Sequence, residues 1–235
     1  MSEPRKTSVI GRIFEGQALH AVLLAILLAV CFWLSRFDAV GAGALWGVGA
    51  RGWFWIALAL PIVHQLTVWF VWRTELHAGL MTRWLGAPAF SAYAVGFAVL
   101  GLARVASVFV LAAANAGTAG LDPTIGRVLA VIALMPALYL FYSVRRYFGF
   151  RRAFGIDHFD PAAARSLPFE RRGIFRWTPN AMYVFGFLIG WVPALWWGSA
   201  AAFAAAAFNH LYIWVHYYAT ERPDMRRIYG GDSDG

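Results

Sequence analysis

The fold is decided by residues 181–218, which read AMYVFGFLIGWVPALWW, a single glycine, and SAAAFAAAAFNHLYIWVHYY. Each apolar segment has about the length of 17–25 residues that an α-helix needs to cross a bilayer. Because one residue separates them, the segments predict a helical hairpin that crosses the membrane and returns. The basic loop before this hairpin and the charged tail after it, ATERPDMRRIYG (219–230), are therefore expected on one side of the membrane.

The second arm of the hairpin places four polar or aromatic residues on one helix face. At roughly 100° per residue, positions i, i+4, i+7 and i+11 lie within about 60° of one another. His210, Trp214, Tyr217 and Glu221 occupy these positions. Ionisable groups on membrane helices face protein or water and indicate a functional site. The alternative is that Trp214 and Tyr217 are interfacial aromatic residues and Glu221 is already in water.

The composition of the whole chain is that of a membrane protein. Hydrophobic residues make up 60% of the chain and charged residues 14%, against roughly 25% charged residues in soluble domains. Six apolar segments predict an all-α, polytopic membrane bundle of about six transmembrane helices. They are residues 18–34, 53–72, 90–114, 125–142, 181–197 and 199–218.

The positive charges indicate the orientation of the chain. If the six segments alternate in direction, sixteen of the twenty Lys and Arg residues fall on one side, three fall on the other, and Arg104 lies inside the third segment. By the positive-inside rule, both termini and the connection 143–178 are expected in the cytoplasm. We therefore expect a bacterial cytoplasmic (inner) membrane protein whose active site faces the cytoplasm. The net charge of +8 reflects this topology rather than a nucleic-acid-binding surface.

Several kinds of chemistry are excluded by residue type. The single cysteine, Cys31, lies inside an apolar segment, which rules out an internal disulfide and a thiolate metal site. The histidines show no metal-ligand spacing, so no metal is predicted. The basic start of the chain leads into an apolar segment without a small-residue cleavage site, so we expect the first helix to be retained.

Three short motifs in the last third of the chain resemble those of a known family. They are Tyr147-Phe148-Gly149, then Asn180-Ala181-Met182-Tyr183 at the head of one helix, and Glu221-Arg222-Pro223 with Ile228-Tyr229 after the next. This set resembles the phosphatidylethanolamine N-methyltransferase family. Its wider relatives are the membrane enzymes similar to isoprenylcysteine carboxyl methyltransferase.

The motifs also depart from the family pattern. Asn180 stands where many relatives have histidine, Ala181 where they have proline, and Thr220 where they have the first of two glutamates. Asparagine at the first position is more similar to the phospholipid branch. The resemblance divides the chain into amino-terminal transmembrane helices (1–142) and a part with the cofactor-binding loop, the terminal hairpin and a cytoplasmic tail (143–235).

The resemblance implies S-adenosyl-L-methionine as methyl donor and a membrane lipid as acceptor, preferably the amine of phosphatidylethanolamine or its partly methylated forms. Aromatic faces hold a sulfonium by cation–π attraction, a carboxylate and arginines suit the methionine end, and an amide suits the adenine or ribose. The expected cofactor-binding residues are Tyr147, Gly149, Arg176, Asn180, Tyr183, Trp214, Tyr217, Glu221 and Arg222.

An ethanolamine ammonium must lose a proton before it attacks the methyl group, so a base with a pKa near neutral is needed. His210 is the candidate on the polar face, and a water relay through Tyr217 or Glu221 is the alternative. His210, Glu221 and Asn180 form the expected catalytic set. A lone helical histidine also packs or donates to a backbone carbonyl, and this reading of His210 stays open.

Arg104 lies near the middle of the third segment, where a charge costs at least about 2.5–3.5 kcal/mol. No Asp or Glu lies in any predicted span. Arg104 is therefore expected to bind the substrate through its phosphate, with helix-end carbonyls or an internal water as the alternatives.

Other functions remain open at this point. The acceptor is alternatively an isoprenoid or small hydrophobic molecule methylated on oxygen or sulfur. A sterol-type membrane reductase that uses NADPH has a similar carboxy-terminal architecture. A lipid-binding membrane protein without enzymatic activity explains the basic loop but leaves the polar face of the last helix unexplained.

Overall fold

The computed structural model describes residues 8–230, which form an all-α bundle with one small β-hairpin. The first helices are α1 (Val9–Ile13), α2 (Gln17–Leu34), α3 (Asp38–Gly41), α4 (Ala50–Ala78), α5 (Leu80–Leu85), α6 (Ala89–Ala114) and α7 (Pro123–Ser143). Between α3 and α4, the antiparallel strands β1 (Ala44–Leu45) and β2 (Val48–Gly49) pair.

The second half of the chain contains shorter helices and three π-helical turns. In order, they are a π-turn (Val144–Phe148), α8 (Phe150–Ala153), a 3₁₀ turn (Ile156–His158), α9 (Pro161–Arg165), a 3₁₀ turn (Gly173–Arg176), a π-turn (Met182–Gly186), α10 (Leu188–Trp197), α11 (Ala200–His216), a π-turn (Tyr217–Glu221) and α12 (Arg222–Tyr229).

The predicted membrane bundle is confirmed. Within residues 8–230, four helical stretches are long and apolar enough to span a bilayer: Val9–Leu34, Ala50–Ala78, Ala89–Ala114 and Pro123–Phe148. The apolar stretch Met182–Trp197 is shorter, and α11 has 17 residues. Each of the six predicted segments therefore corresponds to a helix, while the number of spans and the cytoplasmic termini stay predictions.

The predicted hairpin forms at the predicted residue. Gly198 ends α10 in the left-handed conformation with φ 56°, which glycine adopts without steric cost. Ser199 then caps α11 by accepting a hydrogen bond from the N–H of Ala202. The turn between the two arms is therefore specified locally by a Gly-Ser pair.

The last long helix, α11, lies at the centre of the bundle. It packs against α2, α4, α6 and α10. Four alanines on it are fully buried, and small side chains let membrane helices approach closely. They are Ala201, Ala202, Ala205 and Ala206.

The start of α2 lies directly on the π-turn that ends at Glu221. Gly16 has φ 76°, and a Cβ atom there would clash with the carbonyl oxygen of Ala219. The side-chain amide of Gln17 donates a hydrogen bond to Oγ1 of Thr220 over 3.2 Å. The amino-terminal helices therefore help to fix the chain just before Glu221.

Candidate active site

A hydrogen bond between the two arms of the hairpin forms the centre of the candidate site. The hydroxyl of Tyr183 donates to Oε2 of Glu221. The ring of Tyr183 lies 5.8 Å from that of Trp214 and 5.5 Å from that of Tyr217. Trp214 and Tyr217 are 5.7 Å apart. We refer to Tyr183, Trp214 and Tyr217 as the aromatic cluster, which together with Glu221 brings four of the predicted residues into one site.

Three residues of the site, Tyr183, Tyr217 and Glu221, lie in π-turns. A π-turn inserts a residue into a helix and is often found at functional sites. Within residues 8–230, each of the three π-turns contains a predicted cofactor-binding residue: Tyr147 in the first, Tyr183 in the second, and Tyr217 with Glu221 in the third. A regular 3.6-residue period does not contain this feature, so helical spacing alone does not predict the position of Glu221 relative to the aromatic cluster.

Glu221 follows the last apolar helix, and the pKa of its carboxyl group is raised above the ordinary value. Burial raises its pKa to about 7, and the nearby carboxylates of Asp224 and Asp157 raise it as well. The hydrogen bond from Tyr183 acts in the opposite direction, because it stabilises the charged form. A carboxyl group with a pKa near 7 exchanges its proton readily at neutral pH.

His210 is held by the other arm of the hairpin. Its Nδ1 atom accepts a hydrogen bond of 3.2 Å from the indole N–H of Trp191, and its ring stacks on Phe187 at 5.7 Å. An indole N–H only donates, so the neutral imidazole must carry its proton on Nε2. In this tautomer neither ring nitrogen is free to accept a proton. The role of His210 as a base stays a prediction that this contact disfavours.

The remaining residues predicted around Glu221 have other neighbours. The backbone carbonyl of Asn180 accepts hydrogen bonds from the N–H groups of Tyr183 and Val184 at 3.0 and 3.1 Å, so Asn180 begins the helical arm that carries Tyr183. Arg176 lies over the ring of Trp177 at 5.1 Å. Arg222 lies over the ring of Tyr218 at 5.7 Å. Both arginines are exposed, and their recorded contacts are with these rings rather than with Glu221.

A cavity of about 480 Å³ lies in the connection 143–178, which is partly helical. Tyr147 and Gly149 line it together with Asp157 and Arg172. One oxygen of Asp157 accepts a hydrogen bond from the hydroxyl of Tyr229, and the other is buried without a partner. The charge of Asp157 also raises the pKa of Glu221, so the cavity and Glu221 are linked electrostatically.

The structure gives Arg104 a partner within the chain. Its Nε atom donates to Oδ1 of Asn209, and a second guanidinium nitrogen donates to the Asn209 carbonyl over 3.2 Å. The guanidinium also lies 4.7 Å from the ring centre of Phe187. Asn209 satisfies these two nitrogens, and the binding of a substrate phosphate by Arg104 stays a prediction. Asn209 leaves the positive charge of Arg104 without a negative partner.

A buried network next to the site was missed in the sequence. Arg73 has no exposed side-chain surface, and its Nε donates to Oδ2 of Asp224 over 2.7 Å. Its other nitrogens donate to the carbonyls of Thr220, at 3.1 Å, and Arg12. His158 lies 3.4 Å from the same Asp224 oxygen. Arg73 thus holds the carbonyl immediately before Glu221, a contact that nothing in the neighbouring sequence indicates.

These groups fit the cofactor that the resemblance implies. The aromatic cluster offers faces for a sulfonium, while Glu221 and the unpartnered oxygen of Asp157 offer acceptors for an ammonium or a ribose hydroxyl. Within residues 8–230, no group of three or more His, Cys, Asp or Glu side chains is arranged to hold a metal ion.

The fold and the site define an integral membrane protein whose terminal helical hairpin carries an aromatic and carboxylate site. The family model for phospholipid methyltransferase matches residues 125–232. The match covers the carboxy-terminal part of the chain, where the motifs of the resemblance lie, and it is to the predicted family. Comparison with curated proteins and with solved structures gave no match.

Proposed function

We propose that this protein is an S-adenosylmethionine-dependent methyltransferase of the cytoplasmic (inner) membrane of a bacterium. Its acceptor is the amine of phosphatidylethanolamine or of its partly methylated forms, reached from the cytoplasmic side. The observation that carries the proposal is the Tyr183–Glu221 hydrogen bond inside the aromatic cluster, within the residues that match the family. The cavity of about 480 Å³ has room for a nucleotide-sized ligand.

Residues from both halves of the site hold the cofactor in this proposal. Tyr147, Gly149 and Asp157 contact it in the cavity, and the aromatic cluster surrounds its sulfonium. When bound, the cofactor supplies a methyl group on a positively charged sulfur. The protein contributes mainly by positioning the cofactor and the acceptor, by excluding water and by stabilising their charges.

Glu221 is the proposed base for the acceptor ammonium. Its pKa of about 7 lets the carboxylate take a proton from an ammonium and release it at neutral pH. Arg104 provides an uncompensated positive charge for the lipid phosphate, in addition to its contact with Asn209. In this arrangement, the amine of the lipid lies near Glu221 at the hairpin, and the phosphate of the lipid lies near Arg104, closer to the centre of the bundle.

The proposal is tested by methyl transfer from labelled cofactor. Purified protein is supplied with S-adenosylmethionine labelled in the methyl group and with phosphatidylethanolamine vesicles, and label in the lipid extract is counted. We expect label in mono-, di- or trimethylated lipid. Label that appears only with isoprenoid or small hydrophobic acceptors would contradict the proposed acceptor, and the absence of label with any acceptor would contradict the activity.

Removal of the Tyr183 hydroxyl is expected to weaken cofactor binding. Tyr183→Phe keeps the ring but loses the hydrogen bond that orients Glu221, so we expect about tenfold weaker binding in calorimetric titration. Tyr218→Phe is the matched control, because Tyr218 is exposed and lies in the same π-turn as Glu221. Equal affinity in both variants would remove Tyr183 and Glu221 from the cofactor site.

The pH dependence of the rate is expected to follow Glu221. As a base it must be deprotonated, so the rate at saturating cofactor should fall as the pH drops below about 7. Asp157→Asn removes a negative charge that raises this pKa, and we expect the acid limb to move to lower pH. Tyr183→Phe removes a hydrogen bond that lowers the pKa, and the limb should move to higher pH. If both variants shift the acid limb in the same direction, or if neither shifts it, another group is the base.

A further inference from the structure

A second cavity, of about 230 Å³, lies where α1, the end of α4, α9 and α12 meet. Its polar walls are formed by Arg12, His77, Arg165 and Arg227, one from each of these four helices. The rest of the lining is apolar, so no acidic side chain of residues 8–230 lines this cavity. We call these four residues the arginine pocket.

The positive charge of the arginine pocket is only partly compensated. Arg227 pairs with Glu15 and also lies 3.8 Å from Asp224, which is buried in its ion pair with Arg73. The Nε of Arg165 donates to the carbonyl of Ile228 over 2.8 Å, which orients its guanidinium but leaves its charge. Arg12 and Arg165 therefore stay without a carboxylate among the described ion pairs.

An unsatisfied polar atom also lies in the pocket. Nε2 of His77 is buried and has no hydrogen-bond partner within the described part of the chain. Most buried polar atoms in proteins are hydrogen-bonded, so an exception needs an explanation, such as a ligand or a water molecule. Three guanidinium groups and an unpartnered imidazole nitrogen form a built site for an anion rather than a scattered positive surface.

We propose that the arginine pocket binds the phosphate group of an anionic ligand. Arginine matches phosphate in geometry and binds it through charge-assisted, often bidentate hydrogen bonds. Basic pockets between membrane helices on the cytoplasmic side bind anionic lipid headgroups, and a free phosphate has the same chemistry. This inference rests on the pocket alone and is independent of the proposed methyl transfer.

A phosphate in this position links the two ends of the chain. Arg12 belongs to α1, and Arg227 belongs to α12, one turn beyond Asp224. Bound phosphate therefore holds α1 against α12 near the π-turn that carries Glu221. Because the ligand binds the folded chain, the melting temperature should rise with ligand concentration.

The test measures binding to the full chain in neutral detergent by calorimetric titration. Three probes are titrated separately: dioctanoyl phosphatidylglycerol, dioctanoyl phosphatidylcholine and inorganic phosphate. We expect saturable binding of phosphatidylglycerol or of inorganic phosphate, and at least tenfold weaker binding of phosphatidylcholine, which has no net charge. Arg12→Gln and Arg165→Gln should each weaken binding about tenfold, since each removes a charge-assisted hydrogen bond.

The matched control is Arg83→Gln, which removes one exposed arginine of α5 outside the pocket. It should leave the affinity within twofold of the unchanged protein. Arg12 is exposed and its side chain makes no ion pair in the described structure, so Arg12→Gln is expected to fold. Preference for phosphatidylglycerol identifies a lipid headgroup, and binding of inorganic phosphate identifies a free phosphate. No saturable binding, or the same loss in all three variants, overturns the proposal.

Discussion

Glu221→Gln is expected to lower the rate of methyl transfer by about 10²–10⁴-fold at saturating cofactor, the range for loss of a general base. Glutamine keeps the size of the side chain and still accepts the hydrogen bond from Tyr183. It cannot take a proton, so an acceptor ammonium stays charged. The rate is measured as labelled lipid formed over time, and cofactor affinity is measured separately by calorimetry.

His210→Gln is the comparison that separates the two candidate bases. The glutamine carbonyl can replace Nδ1 as acceptor for the Trp191 N–H, which preserves the contact recorded at 3.2 Å. If Glu221 is the base, His210→Gln should change the rate by less than about tenfold. A loss of 10²-fold or more in His210→Gln, with Glu221→Gln nearly unchanged, would instead make the histidine the base. If Glu221→Gln loses only cofactor affinity, its carboxylate binds the cofactor and does not take the proton.

Much of the fold could be predicted because its signals are local. At most ends, the observed arms of the hairpin lie within one or two residues of the predicted segments 181–197 and 199–218. An apolar run, a glycine and a capping serine specify the turn between them. The connection 143–178 follows from the bounds of the apolar segments on either side of it. The short helices within it depend on tertiary contacts, such as the Ser143 hydroxyl that accepts the N–H of Ile174 at 3.1 Å.

The candidate site could be predicted only in part. Trp214, Tyr217 and Glu221 follow helical spacing along one segment, and the motif of the resemblance adds Tyr183. The π-turn Tyr217–Glu221, which carries Glu221, has no simple sequence pattern. Helical spacing and short motifs therefore identify residues of the site, but they do not predict which of these side chains contact one another.

The buried charges were the hardest part to predict. Arg104 and Asn209 are 105 residues apart, and Arg73 and Asp224 are 151 residues apart. No periodicity relates residues at such separations, and without aligned relatives the sequence offers no pairing signal. An asparagine among alanines on α11 is one residue that could have been singled out, because a polar amide in an apolar helix needs a partner.

Arg73→Met is expected to destabilise the protein by about 3–5 kcal/mol, because it leaves Asp224 as a buried charge without its main partner. The same change removes the donor to the Thr220 carbonyl next to Glu221. For a chain of this size the melting temperature should fall by roughly 10 °C. Arg83→Met, an exposed arginine of α5, is the control and should shift it by no more than a few degrees.

The double variant Arg73→Met/Asp224→Leu tests the cause of that loss. Removing both charges leaves no unpaired carboxylate, so the double variant should be more stable than Arg73→Met alone. The donor to Thr220 is still absent, so the rate should stay low even where stability returns. Recovery of both stability and rate would show that Arg73 only neutralises Asp224. A double variant as unstable as the single one would mean that the backbone contacts of Arg73, and not its ion pair, hold α4 to the end of α11.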